Sequence, residues 1–282
     1  MTGEILVIGA LHWDVILDAP RLPRLDETLF GQQVRYQLGG KGGNQAIAAA
    51  QAGADVAFAG RVGSDSAGDT MRNQLTEQAI DVSQLTVGAG ASGMSVAISN
   101  ADGNYGAVVV SGENVNVDPT RIELKRDTKI VLCQNELPRA VLSYVAERIK
   151  MHCAELWLNL APAAALPRPI RDTIKVLIVN RLEAEDLAGG DRSPAELVRM
   201  LAGRFPNAIT IVTLGGDGVV FAEPGKEPQH IDTKAVQAAR SHGAGDRFIG
   251  NLAAARLRGL TWTDAITLAQ RETGSFLSGQ PR

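Results

Sequence analysis

Short apolar runs alternate with amphipathic, often alanine-rich stretches along most of this chain. Ile5–Ile8 is a continuous apolar run closed by Gly9, the pattern of a strand buried on both faces. Asn44 to Ala52 is alanine-rich and predicts a helix that Gly53 ends. Asp55–Ala59 predicts the next strand, and Ala67 to Gln78 the next helix. Later in the chain the pattern gives strands at Lys129–Leu132, Glu155–Leu158, Val176–Val179, Ile209–Leu214 and Gly218–Phe221. It gives helices over Pro138 to Met151, Pro194 to Arg204, Gly245 to Leu257 and Trp262 to Glu272. Repeated strand-then-helix units predict an α/β fold of three layers, with a mostly parallel central sheet covered by helices on both faces.

Two stretches break the alternation. Residues 17–38 are mixed polar and aromatic, with Pro20 and Pro23, and read as short strands and turns. Met94–Ser99 and Tyr105–Val110 flank Asn100-Ala-Asp-Gly-Asn104, which reads as a β-hairpin. A sheet-like excursion from an α/β domain suits a lid. The chain therefore reads as one domain over residues 1–282, with lid segments at about 15–38 and 92–111.

Composition narrows the function classes. Hydrophobic residues make up 45% of the 282, enough for a sizeable core, and the net charge is −3 with no run of Lys or Arg. Nucleic-acid binding rests on clustered positive charge, so no nucleic-acid partner is expected. The N-terminus has no basic segment ahead of its short apolar run, and no stretch reaches the roughly 18 apolar residues of a membrane helix. A cytoplasmic protein with no membrane partner is the expectation. Cys133 and Cys153 fit no zinc spacing and make no disulfide framework, and they read as two buried thiols.

In parallel sheets, ligands bind beyond the carboxyl ends of the strands. The residues there are Gly9–Asp14, Gln134–Glu136, Asn159, Asn180–Glu183, Leu214–Gly218 and Ser241–Asp246. In the last of these, Ser241-His-Gly-Ala-Gly-Asp246, the glycines let backbone approach a ligand. The N–H groups of Gly243, Ala244 and Gly245 then lie at a helix N-terminus, an anion site by geometry and dipole. Asp246, in the first turn, is placed to take a proton from a hydroxyl attacking a phosphoryl group. Gly39-Gly-Lys-Gly-Gly-Asn-Gln-Ala46 reads as a tight turn with free N–H groups, the charge of Lys41 and the amide of Asn44, suited to a polyhydroxylated ligand or a phosphate. It is not a Walker A loop, because Gly42 follows Lys41.

These two segments, in this order, resemble the two signatures of the ribokinase-like (PfkB) family of sugar kinases, and Lys41 with Asn44 is most similar to the ribokinase branch. Between them, Gln134-Asn-Glu136 resembles the family's strand-end glutamate, Asn159-Leu-Ala-Pro162 an Asn-Pro-Ala-Pro stretch, and Asn180-Arg-Leu-Glu183 an Asn-x-x-Glu motif. Thr213-Leu-Gly215 with Gly218 resembles the nucleotide-binding strand end, and the 92–111 hairpin falls where the family keeps part of its lid. The resemblance implies ATP-dependent phosphorylation of a small sugar, with Asp246 as base and the Gly243–Gly245 amides as anion hole. It implies that Asp14, His12, Gly40, Lys41, Asn44 and Glu136 hold the acceptor, and that Asn180, Thr213, Gly215, Gly218 and Gln270 hold ATP. Mg²⁺ would be organised by Glu183 and Asn180, through water, and a homodimer is expected.

The chain also departs from the family pattern. His12 stands in place of Asn, Arg240 in place of the Asp that helps build a monovalent-cation site, and Gln270 in place of Asn or His near the adenine. Arg240 leaves dependence on a monovalent cation open, and the sequence after Gln270 leaves the adenine contact and the last layer of the fold open. A nucleoside kinase of the same fold remains an alternative, with Trp13, Phe30 and Tyr36 as the aromatic slot for a base. A non-catalytic sugar- or nucleoside-binding protein derived from such a kinase is the other.

Overall fold

The structure, a computed structural model, describes residues 3–100, 105–233 and 243–278. Arg240, Ser241, His242 and residues 101–104, where the sequence predicts the hairpin turn, lie outside them. Its strands are β1 (Ile5–Ile8), β2 (His12–Asp18), β3 (Gln33–Gly39), β4 (Val56–Gly63), β5 (Asp81–Gly88), β6 (Met94–Ser99), β7 (Tyr105–Val110), β8 (Ile130–Gln134), β9 (Glu155–Asn159), β10 (Ile174–Asn180), β11 (Ile209–Thr213), β12 (Val219–Ala222) and β13 (Gln229–Ile231). Its helices are α1 (Lys41–Gln51), α2 (Ser66–Glu77), α3 (Arg139–Arg148), α4 (Arg168–Arg171), α5 (Arg181–Ala188), α6 (Pro194–Arg204), α7 (Ala244–Leu257) and α8 (Trp262–Leu277).

Nine strands form the large sheet in the order β13-β12-β11-β10-β9-β8-β1-β4-β5. Every pairing from β11 through to β5 is parallel, and β12 and β13 close one edge antiparallel. Side chains alternate between two cores. On β1, Leu6 and Ile8 enter a core with Val141, Leu142, Leu197 and Leu201 of α3 and α6. Ile5 and Val7 enter the other, with Ala46, Ala49, Leu252 and Ile266 of α1, α7 and α8. Strands filled on both faces must carry unbroken apolar runs, which is why ILVI is legible as β1. The expected α/β sandwich is the observed fold.

Small residues set the closest helix contact. A Cβ at Gly250 of α7 would lie 2.5 Å from the Ala48 Cβ and 2.5 Å from the Gln45 carbonyl oxygen of α1. The two helices that follow the glycine-rich segments therefore pack backbone to backbone.

The second sheet has four strands, ordered β3-β2-β6-β7. Its register sorts the residues onto two unlike faces. Val15, Tyr36, Val96 and Val108 form one cross-strand row, and Trp13, Leu38, Met94 and Val110 the next on the same face. The opposite face carries Asp14 beside Ser95, and His12 beside Gly39.

Several boundaries differ from expectation. α1 begins at Lys41, taking in the glycines read as a turn. β2 begins at His12, and α8 runs on to Leu277. β5, β13, α4 and α5 arise where no element was expected. Cys133 is buried as expected, but Cys153 is exposed, since it lies in the loop joining the helical turn at Ile149–Met151 to β9.

Candidate active site

The N-terminus of α1 is seated on the end of β1 by contacts that only glycine permits. Gly40 has φ 82°, and a Cβ there would lie 2.5 Å from the Ala10 carbonyl oxygen. A Cβ at Gly42 would lie 2.7 Å from the Gly9 Cα, and one at Gly39 would run into the Asp14 carboxylate. Two of its amides are committed too. The Lys41 N–H donates to Glu136 Oε2 at 2.9 Å, and the Gly43 N–H to the Ala10 carbonyl at 3.3 Å. The first glycine segment is thus a packed joint in which the Lys41 and Gly43 N–H groups, read from the sequence as free, already have partners.

The second segment is built differently. Gly243 has φ 79°, in the left-handed region, and caps α7 without a side-chain hydrogen bond. Among the described residues, the nearest atom to a Cβ there is Asn44 Nδ2 at 3.8 Å, and a Cβ at Gly245 would meet nothing within 4 Å. Asp246, at the third position of α7, is 9% exposed.

The two segments meet at Asp246. Its Oδ2 accepts from Asn44 Nδ2 at 3.2 Å and its Oδ1 from Gln45 Nε2 at 2.9 Å, across 202 and 201 positions of sequence. Gln45, wholly buried, also donates to Asn159 Oδ1 at 3.1 Å and accepts from Gln134 Nε2 at 2.7 Å. Sequence reasoning missed Gln45. Its only signal was a lone polar residue on the apolar face of an alanine-rich helix.

Charge ties further residues to this point. Burial pushes the Glu136 carboxyl up to about 7. The Lys41 N–H and charge oppose that shift, while the negative charges of Asp246 and Asp14 reinforce it. Both aspartates therefore lie within electrostatic reach of one glutamate. Asp14 is buried on β2 and accepts from Ser95 Oγ at 2.5 Å. His12 is also buried, its Nε2 has no partner, and burial lowers its basicity against the pull of Asp14.

Asn180, the last residue of β10, and Glu183, in the first turn of α5, form a reciprocal capping box on α5. Asn180 Oδ1 accepts from the Glu183 N–H at 2.9 Å, and Glu183 Oε2 accepts from the Asn180 N–H at 2.8 Å. Burial raises the Glu183 carboxyl, and the charge of Asp246 adds to this. Among the described residues, no group of three or more His, Cys, Asp or Glu side chains forms a metal cage.

The remaining expected residues form a separate cluster at the β11 end. Thr213 Oγ1 donates to the Val179 carbonyl at 3.5 Å. Gly215 and Gly218 both have positive φ in the turn to β12, and a Cβ at Gly218 would lie 2.2 Å from the Ile231 carbonyl oxygen. Gln270 Nε2 donates to that same carbonyl at 3.2 Å. These hydrogen bonds run to strand backbone and not to the Asp246 group.

The aromatic slot expected for a base is not beside Asp14. Trp13 and Tyr36 stack at 6.3 Å between centroids, but successive residues of a strand face opposite sides, so the pair lies on the face away from Asp14. Phe30 is 92% exposed in the loop joining β2 and β3.

Residues 2–276 match the profile described as pfkB family carbohydrate kinase. The chain belongs to the pfkB family. It is 31% identical to a ribokinase of Haemophilus influenzae over 96% of this chain and 90% of that one. It is likewise 31% identical to a ribokinase of Staphylococcus aureus, over 89% and 85%. In fold it resembles a ribokinase of Arabidopsis thaliana solved with ribose and ATP, with a TM-score of 0.88 at 24% identity over 98% and 93%. The pfkB assignment accords with the two segments that converge on Asp246. No helix among the described residues is long and apolar enough to cross a membrane.

Proposed function

We propose that this pfkB-family kinase transfers the γ-phosphoryl group of ATP to a hydroxyl of a ribose-like sugar, with Asp246 as general base. The observation that carries the reading is the convergence of Asn44 and Gln45 on the Asp246 carboxylate at the start of α7, with Asn44 beside Gly243. The acceptor lies against His12, Asp14, Gly40, Lys41, Asn44 and Glu136. Asp14 accepts sugar hydroxyls, and the partnerless His12 Nε2 gains a hydroxyl partner. Asp246 takes the hydroxyl proton as that oxygen bonds to the γ-phosphorus, and the bond from phosphorus to the bridging oxygen breaks to release ADP. The Gly243, Ala244 and Gly245 N–H groups face the charge carried by the transferred group.

ATP is held through Asn180, Thr213, Gly215, Gly218 and Gln270. Glu183, a hard oxygen donor repelled by Asp246, suits Mg²⁺ held mainly by phosphates and water, with Asn180 beside it. When bound, Mg²⁺ neutralises charge on the phosphate oxygens. A cytoplasmic location, where ATP is plentiful, fits this reading.

The test is ADP release with ribose and ATP. Asp246→Asn is expected to cost at least about 10²-fold in kcat with a parental melting temperature. Parental turnover by the variant ends the assignment.

The small sheet supports a homodimer. Val34, Tyr36, Met94, Val96, Val108 and Val110 are exposed on its one apolar face, and a second copy covers them. Val96→Asp is expected to convert a dimer to a monomer in sedimentation. A monomeric parent at micromolar concentration overturns this.

A further inference from the structure

The Asp246 carboxylate has two unlike sides. Oδ2 meets Asn44, which is partly exposed and adjoins Gly243. Oδ1 meets Gln45, which is 0% exposed and can touch no ligand.

The orientation of the Gln45 amide follows from its neighbours. The Ile178 backbone carbonyl can only accept, so Asn159 must turn its Nδ2 towards it, at 3.2 Å. That leaves Asn159 Oδ1 facing Gln45 as an acceptor, at 3.1 Å. An ionised Asp246 Oδ1 is also only an acceptor, at 2.9 Å. The Gln45 NH2 group therefore sits between two oxygens and gives one proton to each. Its own oxygen is left for Gln134 Nε2, at 2.7 Å. A turned-over Gln45 amide would set oxygen against oxygen twice in a buried site of low dielectric, where such repulsion is strong. A strand carbonyl thus fixes Asn159, Asn159 fixes Gln45, and Gln45 fixes one edge of the carboxylate.

We infer that Gln45 is a positioning residue for Asp246, its locked amide tying down Oδ1 so that the Oδ2 edge is presented to the acceptor hydroxyl. The inference rests on the reading of Asp246 as base. Gln134 acts at one remove, by holding the Gln45 oxygen. Asn44 is the exchangeable partner, whose longer bond to Oδ2 gives way when the hydroxyl arrives. Without Gln45, Oδ1 loses its buried donor, and the productive orientation of the carboxylate is populated less. The sugar and ATP contacts stay in place. The loss accordingly falls on kcat and not on KM, a split that simple loosening of the fold does not produce.

The test compares steady-state kinetics with ribose and ATP for the parent, Gln45→Met, Gln134→Met, the double variant and Asp246→Asn. Gln45→Met is expected to keep both KM values within about threefold and to lose about 10- to 100-fold in kcat. Gln134→Met is expected to lose less, and the double variant no more than Gln45→Met alone, because Gln134 acts only through Gln45. A folded Gln45→Met enzyme with parental kcat, or losses that multiply in the double variant, overturns the inference. Should Gln45→Met fail to melt cooperatively, Gln134→Met carries the test, and parental kcat there overturns it. Full activity in Asp246→Asn defeats the base assignment itself. An inactive Asp246→Asn beside a fully active Gln45→Met defeats only the positioning role.

Discussion

The two glycine-rich segments look alike in sequence and do opposite work. At Gly39–Gly43 the space that each missing Cβ leaves at Gly39, Gly40 and Gly42 is occupied by the protein itself, whether Asp14, Ala10 or Gly9. At Gly243–Gly245 no described residue fills that space: a Cβ would meet only Asn44 Nδ2, at 3.8 Å from the one at Gly243. The first segment is closed by a carboxylate from elsewhere in the chain, Glu136 on the Lys41 N–H, while the second has no side-chain cap. Glycine content alone therefore does not mark a ligand cradle. What fills the vacated volume decides between a joint and a binding surface.

The largest test of this contrast is Gly42→Ala. Alanine favours a helix by about 1 kcal/mol over glycine. Here its Cβ would stand 2.7 Å from one backbone carbon and 2.8 Å from another, neither able to rotate away. Overpacking wins, at a net cost of about 2 kcal/mol or more. Thermal melting should fall by about 5 °C or more, and an unchanged melt would put the first segment in the same class as the second.

Glu136→Gln probes how the first segment is closed. The folded protein holds the Glu136 proton up to about 7. The unfolded chain releases it near the ordinary glutamate value of about 4. Glu136 therefore supports folding at low pH, and that support is lost as pH rises through about 7. Glutamine keeps an oxygen for the Lys41 N–H and does not titrate. The ligand-free variant should match the parent near pH 4 and exceed it by about 2 kcal/mol at pH 8 in denaturant titrations. A difference that does not vary with pH would remove the charge argument.

The smallest stability effect belongs to Gly245→Ala, where a Cβ meets nothing. Stability should change by less than about 1 kcal/mol, and upward. KM for ATP should rise several-fold if, as proposed, the phosphate approaches there. A destabilised protein with parental KM would reverse the roles assigned to the two segments.

The fold was legible where one local signal sufficed. β1 announces itself by an unbroken apolar run, and the β6–β7 pair by β-rich runs on both sides of a glycine-containing segment. β5 did not, because DVSQLTVG is a partly exposed edge strand whose state comes from pairing with β4. β13 is three residues of an antiparallel edge. The start of α1 was obscured because glycines that disfavour a helix locally are overruled by packing on Gly9 and Ala10. Asn180 and Glu183 were read for metal chemistry, although the same spacing also announces a capping box and hence α5. Asp246 was legible because it sits inside a motif. Gln45 was not, because its significance lies in three partners far away in the chain.

The contact at Gly250 carries a consequence beyond packing. One helix bears Asn44 and Gln45, the other bears Asp246, and their separation is set where bare backbone rests on Ala48. Such a spacer has no rotamer with which to absorb an error. A single methyl group added at Gly250, deep in the core, would press α7 away from α1 and stretch the hydrogen bonds that Asn44 and Gln45 give to Asp246.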